Sequence, residues 1–211
     1  IIYTMKKNPE LRLPFIYDGE TLVTSSRQIN FWSKKGAVGA VLSREVPFDE
    51  MKAMAESLAV PTEILVYGAT CIHQSKRPLL QNYYNYTQQT EEVGRERGLF
   101  ISEPKKEETH YSIYEDSHGT HIFASNDLNL MNELEQLNTY HYQTWKLDGL
   151  FTSGEAFVEI AKLFVEAKNN ILAGNWNEGI ANELTEKVRK LHPENRELDT
   201  GFFYIDPTSI K

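Results

Sequence analysis

The feature that most restricts what this chain can fold into is a repeated exchange between short apolar runs and amphipathic stretches of helical spacing. The run from Leu11 to Tyr17 is strand-like and is followed by the turn pair Asp18-Gly19. Ser25 with Gln28 reads as a capping box, opening a helix that carries Ile29 and Trp32 on one face. Lys34-Lys35-Gly36 ends it, with cations in the last turn and glycine just beyond. Ala37 to Ser43 is an apolar run of the kind buried in a parallel sheet. Phe48, Met51, Ala55 and Leu58 restore the helical period until Pro61, and Ile64-Leu65-Val66-Tyr67 is the next β run, closed by Gly68. This order predicts an α/β fold with parallel strands and right-handed crossovers.

Residues 76–108 break the rhythm with tyrosines (Tyr83, Tyr84, Tyr86) and charged stretches. The runs Tyr111–Tyr114 and Thr120–Phe123 then flank Asp116-Ser117-His118-Gly119, a β-hairpin pattern. Leu130, Leu134 and Leu137 mark a helix, and Trp145 to Leu150 a last buried-type strand. Ser153 is placed to cap a long helix through Phe157, Ile160, Phe164, Ala167 and Ile171. A second helix carries Ile180, Leu184, Val188 and Leu191, and the aromatic tail Asp199–Tyr204 is expected to dock on the body. About four β/α units are present, where a closed barrel needs eight. The expected architecture is therefore (β/α)-barrel-like: the C-terminal part of a TIM-type barrel over 1–175, with an inserted hairpin and helical segment at about 76–124. Residues 176–211 supply a helix and tail packed upon it. The opening Ile1–Lys7 reads as the tail of a helix, so the natural start is expected to lie upstream.

Composition narrows the chemistry. No apolar run approaches the ~20 residues that span a bilayer, and no basic-then-apolar leader opens the chain. Cys71 is the only cysteine, which excludes an internal disulfide and a thiolate-ligated metal or cluster held by this chain alone. A reducing cytoplasm is the expected location. The net charge of −8 opposes tight non-specific binding to nucleic acid, leaving room only for a local basic patch.

In a β/α barrel, chemistry sits at the C-terminal ends of the strands. Here those ends carry Arg44-Glu45, Gly68-Ala69-Thr70-Cys71, Ser125-Asn126-Asp127 and Lys146-Leu147-Asp148-Gly149. Each group has a plain structural alternative. Glu45 can pair with Arg44 or cap the next helix, Asn126 or Asp127 can be a helix N-cap, and Cys71 can be a small buried hydrophobe. Cys71 and His73, two residues apart, project to one side of an extended segment, although spacing alone does not make a nucleophile and base. His118 and His121 flank the hairpin turn on opposite faces and read as solvent-facing rather than metal-binding. Ser75-Lys76-Arg77 with Tyr83-Tyr84 is a basic and aromatic segment of a kind that suits RNA, or else a solvated loop with tyrosines on the core.

From Glu63 to Arg77 an acid opens the strand, Gly-Ala precedes a cysteine, and Ser75 and Arg77 follow at fixed offsets. This resembles the pattern of peptidase family U32, the collagenase-like peptidases. Ser43-Arg44-Glu45 resembles that family's Ser-Arg-Glu segment, Ser125–Leu128 its Ser-x-Asp-Leu step, and Lys146–Gly149 its Lys-(Ile/Leu)-acid-Gly strand end. Asn195-Arg196 through Thr200-Gly201-Phe202 is similar to its closing motif. The motifs keep the family's order over nearly the whole chain.

The resemblance implies a β/α-barrel-like fold and a historical peptidase label without an agreed mechanism. Several members are linked instead to hydroxylation of RNA or ubiquinone. The branch most like this chain is the smaller of paired proteins associated with prephenate-dependent hydroxylation of the tRNA wobble uridine. The site expected on these motifs has Glu45, Cys71, Asp127 and Asp148 as catalytic residues. Arg44, His73, Ser75, Arg77, Asn126 and Lys146 are expected to bind substrate. Many relatives carry a second cysteine seven residues after the first, toward an iron–sulfur cluster, where this chain has Pro78. No metal or cluster is therefore expected here, and prephenate is the co-substrate implied. tRNA and a paralogue, or a second copy of the chain, are the implied partners. The alternatives are proteolysis, for which the sequence offers no Ser-His-Asp, Cys-His or His-Glu-x-x-His arrangement, and a non-catalytic scaffold for a paralogue.

Overall fold

A computed structural model describes residues 2–11, 13–19, 22–152, 154–206 and 208. In chain order the first half holds α1 (Ile2–Lys7), β1 (Phe15–Tyr17), α2 (Ser26–Ser33), β2 (Ala37–Val41), α3 (Phe48–Ala55), β3 (Thr62–Gly68), β4 (Cys71–Ser75) and α4 (Leu79–Thr87). There follow β5 (Phe100–Glu103), β6 (Lys106–Asp116), β7 (Gly119–Phe123), β8 (Asn126–Asn129), α5 (Leu134–Thr139), β9 (Thr144–Leu147), α6 (Gly154–Leu172), α7 (Glu178–Leu191) and β10 (Glu197–Asp199).

The expected α/β alternation is present. β1, β2, β3 and β9 run parallel in one sheet, with β8 antiparallel to the end of β3 and β10 parallel to β8. Among the described residues this six-stranded sheet is open rather than closed into a barrel. β1 is shorter than the run from Leu11 suggests. Pro14 has no N–H to give a ladder, so pairing begins only at Phe15. Arg12, within that run, lies outside the described residues, as does Ser153, the expected cap of α6.

The helices cover one face of this sheet. Ile29 of α2, Met51 of α3, Leu134 of α5, Ile160 and Phe164 of α6 and Leu184 of α7 are buried against Ala40, Ile64 and Val66. Ser25 caps α2 through the Gln28 N–H, as its position suggests, and Asn177 caps α7 through the Ile180 N–H at 3.1 Å. The tail docks as expected: Phe203 stacks on Phe48 at 4.7 Å and its carbonyl accepts from the Phe48 N–H.

A second, antiparallel sheet has the order β4-β7-β6-β5. The hairpin joins β6 to β7, and Gly119 takes φ +115 at its turn, where a Cβ would collide with the Ser75 carbonyl. α4 packs on one face of this sheet. Pro78 supplies no capping side chain, and the buried Glu115 accepts from the Leu80 and Gln81 N–H groups instead.

Candidate functional site

The C-terminal ends of β2, β3 and β9 meet the antiparallel sheet at a cavity of about 600 Å³. Gly68 ends β3 with φ +116, and a Cβ there would lie 2.1 Å from the Asp148 carbonyl oxygen. Only glycine lets the β9 end approach so closely, and the Asp148 N–H then donates to the Tyr67 carbonyl at 2.8 Å. This contact brings the two strand ends to one rim.

Arg44, Glu45, Cys71, His73, Lys146 and Asp148 all line the cavity. Glu45 and Lys146 are exposed, and Asp148 is half-buried with a carboxylate oxygen accepting from the Leu150 N–H at 2.8 Å. Arg44 donates to the carbonyl of Cys71, tying the β2 end to β4, while its Nε is buried without a hydrogen-bond partner among the described residues. The Cys71 thiol donates to the main-chain carbonyl of His73 at 3.4 Å. A bulge between Cys71 and His73 interrupts the simple alternation expected of them.

The remaining expected residues lie elsewhere. Asp127 is neither on this rim nor a helix cap: it is a β8 residue, 1% exposed, held by Arg196 in a two-pronged ion pair at 2.6 and 3.0 Å. Asn126 donates to Asp199 of β10 at 3.1 Å. The helical turn after β8 takes its bond from Asn129, whose side chain accepts from the Met131 N–H. The Ser75 side chain accepts from the Arg77 N–H at 3.1 Å, and neither residue lines the cavity.

Residues not anticipated as site members also contribute. Asp18 lines the cavity from the end of β1, and the strand-end rule applied to that strand points to it. His121 was read as solvent-facing, but its side chain is 12% exposed, lines the cavity, lies tilted on Tyr114 at 5.0 Å, and bonds Asp116 at 3.0 Å. That bond, with the His118 N–H, holds the Asp116 carboxyl below its ordinary range.

Behind the rim runs a buried polar chain. The Tyr67 hydroxyl lies 3.1 Å from Thr152 Oγ1 and 2.7 Å from His192 Nδ1. His192 Nε2 is 3.6 Å from Asp127 Oδ2, longer than a hydrogen bond. Burial pushes the Tyr67 hydroxyl up to about 12 and His192 below its ordinary value, so both are neutral near pH 7. Arg196 continues the chain to Ser112 of β6 and to the Ala124 carbonyl, fastening the two sheets together.

The cavity thus offers two cations, three carboxylates, a thiol and two imidazoles. An iron–sulfur cluster needs a set of cysteine thiolates. With Cys71 alone, this chain does not supply them. No group of three or more His, Cys, Asp or Glu suited to a metal ion occurs among the described residues. No described helix is long and apolar enough to cross a membrane.

The chain is 35% identical to the tRNA hydroxylation protein P2 of Bacillus subtilis, over 93% of its own length and 64% of the relative's. It is 22% identical to the tRNA hydroxylation protein P1 of the same organism, over 86% of the chain and 43% of the relative. To the tRNA hydroxylation protein P of Escherichia coli it is 23% identical, over 69% of the chain and 42% of the relative. It therefore spans less than two thirds of the length of each of these relatives. No solved structure matches it significantly. A sequence model described as peptidase family U32 matches residues 1–211, and the chain belongs to that family.

Proposed function

We propose that this protein acts in hydroxylating a tRNA uridine, with the cavity at the ends of β2, β3 and β9 as the reaction site. The observation that carries this reading is the 35% identity to a tRNA hydroxylation protein across 93% of the chain. The lining supports it. Arg44 and Lys146 are cations suited to the carboxylates of prephenate, the co-substrate of this reading, or to a phosphate. Glu45 and Asp148 are acceptors for a nucleoside's hydroxyl and imide groups. Cys71 supplies the cavity's thiol, and His73 and His121 bring imidazole nitrogens that donate or accept hydrogen bonds.

In the same reading the parallel strands within 1–175 are an arc of a β/α barrel, and 176–211 are its covering helix and tail. The chain acts alone or with a cluster-bearing paralogue; Bacillus subtilis carries two relatives of this chain, named P1 and P2. The setting is cytoplasmic, where tRNA is found. Deleting the gene is expected to remove the hydroxylated uridine from digested tRNA in nucleoside mass spectrometry. An unchanged profile refutes the assignment.

A further inference from the structure

A second cavity, of about 460 Å³, lies on the face of the antiparallel sheet turned away from α4. Phe100, Ser112, Tyr114 and Phe151 form its walls, and Arg196 is at its floor. Register places them together: Phe100 is opposite Ser112, and Tyr114 is opposite His121. Tyr114 stacks on Phe123 at 5.7 Å, and Phe151 meets Phe123 edge-on at 5.2 Å. Phe123 and His121 line the strand-end cavity, so rings in contact with one another border both spaces.

The chemistry of the groove is distinctive for this chain. No carboxylate lines it, although the sequence holds 30 Asp and Glu. Arg95 stands at its edge, partly offset by Glu96 at 3.1 Å, so ring surface outweighs net charge there. Among the described residues, four of the five N–H groups of Arg196 are engaged, by Asp127, Ser112 and the Ala124 carbonyl. The fifth belongs to Nη1, the nitrogen that reaches Ser112 on the groove wall.

We propose that this groove stacks one base of single-stranded RNA, next to the nucleotide held in the strand-end cavity. The proposal deepens the tRNA reading above and rests on it for the identity of the RNA. Aromatic rings presented on an open sheet face stack bases regardless of sequence. Phe100 is 57% exposed, with His110 edge-on to its ring at 4.5 Å, and so leaves ring surface for a base. At a strand spacing of ~4.8 Å, β5 lies about 10 Å from β7, within reach of a neighbouring nucleotide.

The test titrates purified protein into fluorescein-labelled heptauridylate at low salt and reads anisotropy. Phe100→Ala is expected to weaken binding about 10-fold, and Phe100→Trp to retain it. Ile101→Ala, on the opposite face of β5, is expected to leave binding unchanged. Thermal melts of Phe100→Ala should match the parent, since the ring is exposed. Equal affinity of the parent and Phe100→Ala overturns the groove, as does a parent that does not bind the oligonucleotide. Either result leaves the hydroxylation reading to the nucleoside profile of the deletion strain. If that profile is unchanged while Phe100 still governs binding, the groove stands and the hydroxylation reading falls.

Discussion

Removing Asp127 would leave the Arg196 guanidinium, with 5% of its side chain exposed, without its counter-charge. Breaking a buried pair in this way costs about 3–5 kcal/mol. Asp127→Asn is therefore expected to lower unfolding free energy in urea by that amount. Asp148→Asn, whose half-buried carboxylate bonds one N–H, should cost about 1 kcal/mol. His192 adds a pH dependence. Its folded-state pKa lies below the 6.5 of the unfolded chain, chiefly through burial, against the opposing pull of Asp127. Below about pH 6.5 the unfolded state binds more protons, so this contribution is full above that pH and is lost as pH falls toward the folded pKa. The melting temperature of the parent should fall from pH 7 to pH 5.5 more steeply than that of His192→Gln, and equal slopes would show that His192 is not the group responsible. The sequence placed Asp127 with the strand-end acids because only local pattern is visible in it. Its partner Arg196 is 69 residues away, and no spacing rule reports such a pairing.

The parallel β/α units were readable because each apolar period states which face is buried, and β2, α3, β3 and α6 follow the runs that mark them. The hairpin of β6 and β7 was readable from its turn residues. β4 and β8 were not. Ile72, His73 and Gln74 of β4 are all exposed, and β8 reads Asn-Asp-Leu-Asn, so neither alternates. Both owe their extended form to partners distant in sequence: β7 for β4, and β3 and β10 for β8. α4 depends likewise on a distant residue, Glu115, for the acceptor at its N-terminus. Glu115→Ala should cost about 1–3 kcal/mol and speed hydrogen exchange at the Leu80 and Gln81 amides, with no change in the core amides of β3. Uniform exchange across both elements would contradict a local role for Glu115.

For the whole molecule, the cavity depends on how the two sheets meet. The parallel sheet brings Arg44, Glu45, Lys146 and Asp148 to its strand ends, and the antiparallel sheet brings Cys71, His73 and His121 to the same space. Gly68 permits the close approach of β9, and Arg196 fastens β6 and the β7–β8 link to β8. Strand-end logic found five of these residues, the spacing from Cys71 added His73, and both missed His121, whose orientation follows from pairing with Tyr114. The most direct measurement is the tRNA nucleoside profile of a deletion strain carrying Lys146→Ala or Asp148→Asn at parental protein levels. Strand-end chemistry predicts loss of the hydroxylated uridine in both strains and its retention with Ile101→Ala. Full hydroxylation in the Lys146 and Asp148 strains would contradict it.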